Sequence, residues 1–148
     1  HDNDRQVKAF IEWIQAQPFY ENTTVVIVGD HLTMDSDFFD NDNPNYQRTV
    51  YNAFLNTTQT ASRMTNRQAT ALDLFPTTLA ALNVTIEGER LGLGTNLFSA
   101  KPTLAEELGF DSFYTELTKR STFYTEKLMQ GTDDEIYKQR EAEKEAEE

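Results

Sequence analysis

Cysteine is absent from these 148 residues, which excludes disulfides, thiolate zinc sites and a cysteine nucleophile. Long apolar runs are also missing: none approaches the roughly 18 residues of a membrane-spanning helix, and no signal-peptide pattern occurs. Basic residues are scarce, 13 Lys and Arg against 25 Asp and Glu for a formal charge of -12, and they form no cluster. Nucleic acid and anionic membrane surfaces are therefore poor partners. No Gly-x-Ser-x-Gly elbow occurs, and Gly92-x-Gly94 lacks the third glycine of a dinucleotide fingerprint. That excludes a serine-hydrolase elbow and a Rossmann phosphate loop.

The length suits one domain with a real core. Val7, Phe10, Ile11 and Ile14 recur at helical spacing, so residues 4–16 are expected to form a helix with one buried stripe, opened by Asn3 and Gln6 as a capping box. Gln17-Pro18 ends it. Val25-Val26-Ile27-Val28 is a β-branched apolar run bounded by turn residues, the pattern of a parallel strand covered on both faces. Tyr46 to Leu55 reads as a second strand, in a smaller sheet. A helix is expected from Asn66 to about Leu82, closed by Asn83, then a glycine-punctuated loop at 91–98 and a helix from Thr103 to Leu108 stopped by Gly109. Residues 111–129 are helical in composition; residues 131–148 read as a charged helical or disordered tail, with eight acids and three bases over 132–148. The fold class is α/β.

The chemistry concentrates at Gly29-Asp30-His31, where the apolar strand delivers a carboxylate beside an imidazole. Adjacent side chains on a strand point to opposite faces, so the pair converges on one ion only where the chain leaves extended geometry, which Gly29 permits. Asp and His suit zinc or manganese, and strand ends are where open α/β sheets place ligands. Two ligands do not complete a catalytic site, and a hydrogen-bonded structural pair is the alternative. Completing ligands are few: Asp35, Asp37, Asp40 and Asp42 lack the glycine and glutamate of a calcium loop and read as solvated, and His1 is a weak candidate at the chain start. Trp13 and the tyrosines read as core and rim. Asn22, Asn56 and Asn83 each open an Asn-x-Thr pattern, with nothing further to indicate modification.

The order of Gly29-Asp30-His31, Tyr51-Asn52-Ala53-Phe54, Leu72-Asp73-Leu74-Phe75-Pro76-Thr77-Thr78 and Arg90 to Ser99 resembles the C-terminal part of the phosphoglycerol transferases, the lipoteichoic acid synthase-like enzymes of the sulfatase and alkaline phosphatase superfamily. The resemblance spans most of residues 1–130. It implies a partial sulfatase-like fold: part of a central sheet with flanking helices, a smaller C-terminal sheet and a helical tail. It implies a divalent ion, Mn2+ or else Zn2+ or Mg2+, held by a glutamate, a nucleophilic threonine and an Asp-His pair matching Asp30 and His31. The threonine and glutamate are expected upstream of His1, so the chain is expected to be inactive alone. The implied reaction moves phosphoglycerol from a phosphatidylglycerol-type lipid to a glycan or polymer of the cell envelope, on the extracellular face of a bacterial cytoplasmic membrane. Family members carry a substrate-contacting serine where this chain has Asp35, with Ser36 next, which marks Asp35 as the candidate substrate contact and suggests a branch with another acceptor. A sulfatase or phosphoethanolamine transferase-type relative and a non-catalytic α/β interaction module are the alternatives. A strand lacking its neighbours is further expected to drive self-association.

Overall fold

The computed structural model describes residues 2–32, 34, 48–63 and 65–129. It mixes helices with two antiparallel two-stranded sheets, within the general α/β class. The chain divides into two compact units, residues 1–107 and 108–148.

The first unit opens with helix α1 (Asp2–Gln15). The apolar spacing forms the helix as expected, but Asn3 lies inside it rather than capping it. The expected buried stripe is also corrected. Ile11 and Ile14 are half-buried, whereas Val7, Phe10 and Trp13 are exposed, and no α1 residue is buried. Phe10 stacks on Trp13 with ring centroids 6.0 Å apart, and Trp13 meets the edge of Phe19 at 6.3 Å. Pro18, fixed in φ, starts a 3-10 turn over Pro18–Asn22 that redirects the chain.

Strand β1 (Val25–Val28) follows, and it pairs antiparallel with β2 (Asn52–Leu55) in the register Val25↔Leu55 to Val28↔Asn52. The expected parallel strand buried on both faces is thus corrected: Val25 to Ile27 are half-buried and Val28 is exposed. The expected second strand joins β1 directly instead of forming another sheet. An antiparallel partner leaves one face for packing and one for water, which this partial exposure reflects. Asn56 ends β2 in the left-handed region (φ 55°) and its side-chain amide donates to the carbonyls of Tyr20 (2.5 Å) and Thr23 (3.0 Å), tying the ribbon to the preceding turn.

Asn66 to Thr70 is not helical, which shortens the expected helix. Ala71–Asp73 forms a 3-10 turn capped by Thr70, and α2 (Leu74–Ala81) continues from it with Pro76 in its first turn. Asn83 closes α2 as expected. At φ 68° its N–H reaches the Ala80 carbonyl and the Val84 N–H reaches Leu79, the paired bonds of a Schellman motif. Two residues on each side then form a miniature hairpin, β3 (Arg90–Leu91) with β4 (Gly94–Thr95), where a loop is expected from sequence.

The core of this unit is where α2 meets β4. Thr77, Ala80, Ala81 and Thr95 are buried there, and a Cβ at Gly94 would sit 1.9 Å from the Leu72 carbonyl oxygen. Helix α3 (Leu104–Leu108) buries Ala105. In the second unit Gly109 adopts φ 79°, α4 (Phe110–Leu117) buries Phe113, and the expected continuous helix breaks at 118–121 before a π-helical turn at Tyr124–Met129. The acidic tail at 132–148 lies outside the described residues. Among the described residues no helix is long and apolar enough to cross a membrane.

Candidate functional site

The ladder of β1 extends one residue further than the strand itself, because the Gly29 N–H donates to the Tyr51 carbonyl at 2.8 Å. Gly29 is not among the residues with positive φ. Its role is corrected accordingly: a Cβ there would lie 3.0 Å from the Val50 Cβ, so close approach of the neighbouring chain, not a left-handed turn, favours glycine. The chain bends only after the ladder, at His31.

That bend brings Asp30 and His31 together. The His31 backbone N–H donates to Asp30 Oδ1 at 2.8 Å, leaving Oδ2 3.3 Å from His31 Nε2. His31 Nδ1 lies 2.7 Å from the Leu32 carbonyl oxygen. A carbonyl only accepts, so Nδ1 carries a hydrogen there, and in the neutral ring Nε2 then presents a lone pair. Opposite it stands a carboxylate oxygen, also an acceptor. Such a pair is satisfied either by a second ring proton or by a cation between the two atoms. Two ligands of a tetrahedral ion with bonds near 2.1 Å stand about 3.4 Å apart, so the 3.3 Å separation fits a shared ion. The Leu32 carbonyl fixes the ring as an outer-shell acceptor fixes a metal-bound histidine. Both side chains are largely exposed, 86% for Asp30 and 57% for His31, so the position is open. These two residues fit as part of a ligand set.

The remaining candidates divide differently. Asp35, the other acids of its loop and His1 lie outside the described residues. Among the described residues no group of three or more His, Asp or Glu is placed to hold an ion. Trp13, read as core, is 54% exposed.

A denser polar assembly, missed at the level of sequence, joins α2, β4 and α3. Asp73, only 2% exposed, accepts from the Thr70 N–H and the Thr95 N–H at 2.8 Å each, and from Thr70 Oγ1 at 3.2 Å. Thr77 Oγ1 donates to the Asp73 carbonyl at 2.6 Å and accepts from the Leu97 N–H at 3.0 Å. Glu106 caps α3 by accepting from the Thr103 N–H at 2.9 Å, and its other oxygen accepts from Arg67 Nε (3.1 Å), the Gln68 N–H (3.2 Å) and Arg63. Burial pushes the Glu106 carboxyl up, but the backbone N–H groups of Thr103 and Gln68 and the Arg67 guanidinium outweigh it and hold it below the usual carboxylate range. Arg67 spends its terminal nitrogens on the carbonyls of Ser99 (2.9 Å), Lys101 (2.8 Å) and Leu97 (3.4 Å). Thr70-x-x-Asp73 and Thr103-x-x-Glu106 were the readable signals, since both follow the capping-box spacing. Comparison of the chain with family models, curated proteins and solved structures gave no match.

Proposed function

We propose that this chain supplies the Asp-His half of a divalent-metal site in a phosphoglycerol transferase of the sulfatase-like type, acting at the extracellular face of a bacterial cytoplasmic membrane. The observation that supports the reading is the pairing of Asp30 Oδ2 and His31 Nε2 at 3.3 Å, open to solvent at a strand end, with Nδ1 fixed by Leu32. A bound divalent ion supplies Lewis-acid polarisation of a phosphoryl oxygen and favours ionisation of a hydroxyl nucleophile. This chain's own contribution is orientation. The Leu32 carbonyl presents Nε2 rather than Nδ1 outward, and the His31 N–H fixes one Asp30 oxygen so that the other faces the ring. The nucleophilic threonine and the glutamate ligand implied by the resemblance belong to a segment outside this chain, which alone is inactive in this reading. The donor is then a phosphatidylglycerol-type lipid and the acceptor an envelope glycan or polymer.

The exposed Phe10, Trp13 and Phe19 favour a second reading, a non-catalytic interaction module. Paramagnetic broadening by Mn2+ separates the two. Under the transferase reading the amide signals of Asp30 to Leu32 broaden at the lowest Mn2+ concentrations, and His31→Ala or Asp30→Ala removes that preference. Broadening shared evenly among the exposed acidic residues, unchanged by either substitution, refutes the metal assignment.

A further inference from the structure

Serine, arginine, asparagine and glutamine side chains with uncommitted donors line an open groove of about 550 Å³ formed by Ser62, Arg63, Asn66, Arg67, Gln68 and Glu106, with Ala100 and Pro102 on its far wall. Its fixed side is the Arg67–Glu106 pair, whose side chains are only 10% and 13% exposed and whose donors and acceptors are taken up by one another and by backbone groups. Arg63 differs. Its side chain is 53% exposed and meets Glu106 through one terminal nitrogen, so Nε and the other terminal nitrogen have no protein acceptor among the described residues. The side chains of Ser62, Asn66 and Gln68 likewise make no hydrogen bond within the described residues. With Arg67 neutralising Glu106, Arg63 leaves one positive charge at the groove of a chain whose formal charge is -12.

We propose that this groove is a binding site for a singly charged oxyanion carried on a small polar molecule. The Arg63 guanidinium keeps Nε–H and Nη1–H for oxygens of an incoming anion, while Nη2 is held by Glu106; charge-assisted donors of this kind suit a carboxylate or a phosphodiester. Ser62, Asn66 and Gln68 add neutral donors that hold oxygen without adding charge. The net single positive charge of Arg63, Arg67 and Glu106 together matches a singly charged anion better than a doubly charged one. Arg67 and Glu106 are already locked, so the ordering that opposes binding is confined to the exposed side chains of Arg63, Ser62, Asn66 and Gln68.

The test is an amide-shift titration of the whole chain with dimethyl phosphate, with acetate, and with chloride at matched ionic strength. The expected result is saturable shifts confined to residues 62–68 and 100–102 with one or both organic anions, the stronger of the two identifying the phosphodiester or carboxylate source. Arg63→Gln weakens the apparent affinity by about tenfold or more, as removal of one charge-assisted pair predicts. Gln68→Ala, which removes no internal side-chain bond, weakens it several-fold while leaving the thermal midpoint in place. Shifts that chloride reproduces, or that persist unchanged in both variants, overturn the proposal. The outcome is independent of the metal reading, because Mn2+ broadening at Asp30 and His31 is monitored in the same variants.

Discussion

Replacing Asp73 is the sharpest test of how this chain holds together. Its carboxylate is 2% exposed and joins two segments that lie 25 residues apart: Thr70 at the entrance to α2 and Thr95 in β4, itself fully buried. In Asp73→Ala the N–H groups of Thr70 and Thr95 lose their acceptor, and Thr95 is fully buried from bulk solvent. The buried Thr95 donor costs about 1–3 kcal/mol and the half-buried Thr70 donor about 1 kcal/mol, so the expected loss is about 2–4 kcal/mol, a large part of the 5–15 kcal/mol that typically separates folded from unfolded domains. Asp73→Asn keeps one oxygen but turns an NH2 toward a second donor, and is expected to cost about 1.5–3 kcal/mol. Thr77→Val removes the bonds to the Asp73 carbonyl and the Leu97 N–H at similar cost. Because Asp73 and Thr77 restrain the same segment at 95–97, the double variant should lose less than the sum of the singles. Urea unfolding followed by circular dichroism reads these values directly. An Asp73→Ala protein within about 1 kcal/mol of the parent would refute the claim that this carboxylate joins the two segments.

The two glycines of Leu91-Gly92-Leu93-Gly94 are expected to respond unequally in thermal melts. Gly94→Ala drives a Cβ to within 1.9 Å of the Leu72 carbonyl oxygen and should cost about 3 kcal/mol or more, whereas Gly92→Ala at φ 60° meets open space and should cost only the left-handed strain of about 1–2 kcal/mol; equal losses would contradict the packing described. Glu106 has its folded-state pKa below the ordinary 4.5, so its stabilisation is present above that pH and is lost as pH falls through the lower folded value. Glu106→Gln should therefore destabilise at neutral pH and flatten the decline in stability below about pH 4.5, and an acid limb as steep as the parent's would argue against Glu106 as its source.

Helix α1 and strand β1 were legible because their signals are local: apolar spacing for one, β-branching with flanking turn residues for the other. The surroundings of each were not. Four apolar residues in a row suit a strand covered on both faces, yet the direction of pairing depends on Asn52–Leu55, more than twenty residues away, and on Val50 approaching Gly29. The helix expected from Asn66 fails for a reason equally remote. Asn66 sits at φ 58°, the Gln68 carbonyl accepts from Thr103 Oγ1 at 2.5 Å, and Arg67 reaches across to the loop at 97–101. These long-range bonds hold the segment in a conformation that local propensity alone does not favour.

The motifs that suggested a family turn out to be two halves of one structural unit. Asp73 and Thr77 of the Leu-Asp-Leu-Phe-Pro-Thr segment bind the backbone of Thr95 and Leu97 in the Leu-Gly-Leu-Gly-Thr-Asn-Leu segment, and Gly94 lies against the Leu72 carbonyl and Pro76. Neither half can change alone without orphaning a buried group or closing a contact. This coupling belongs to the scaffold. Asp30 and His31 stand outside it, exposed, and among the described residues they bond to each other and to Leu32. Either a second ring proton or a shared cation accounts for Nε2 standing 3.3 Å from an Asp30 carboxylate oxygen, and the Mn2+ titration of the His31→Ala variant distinguishes the two.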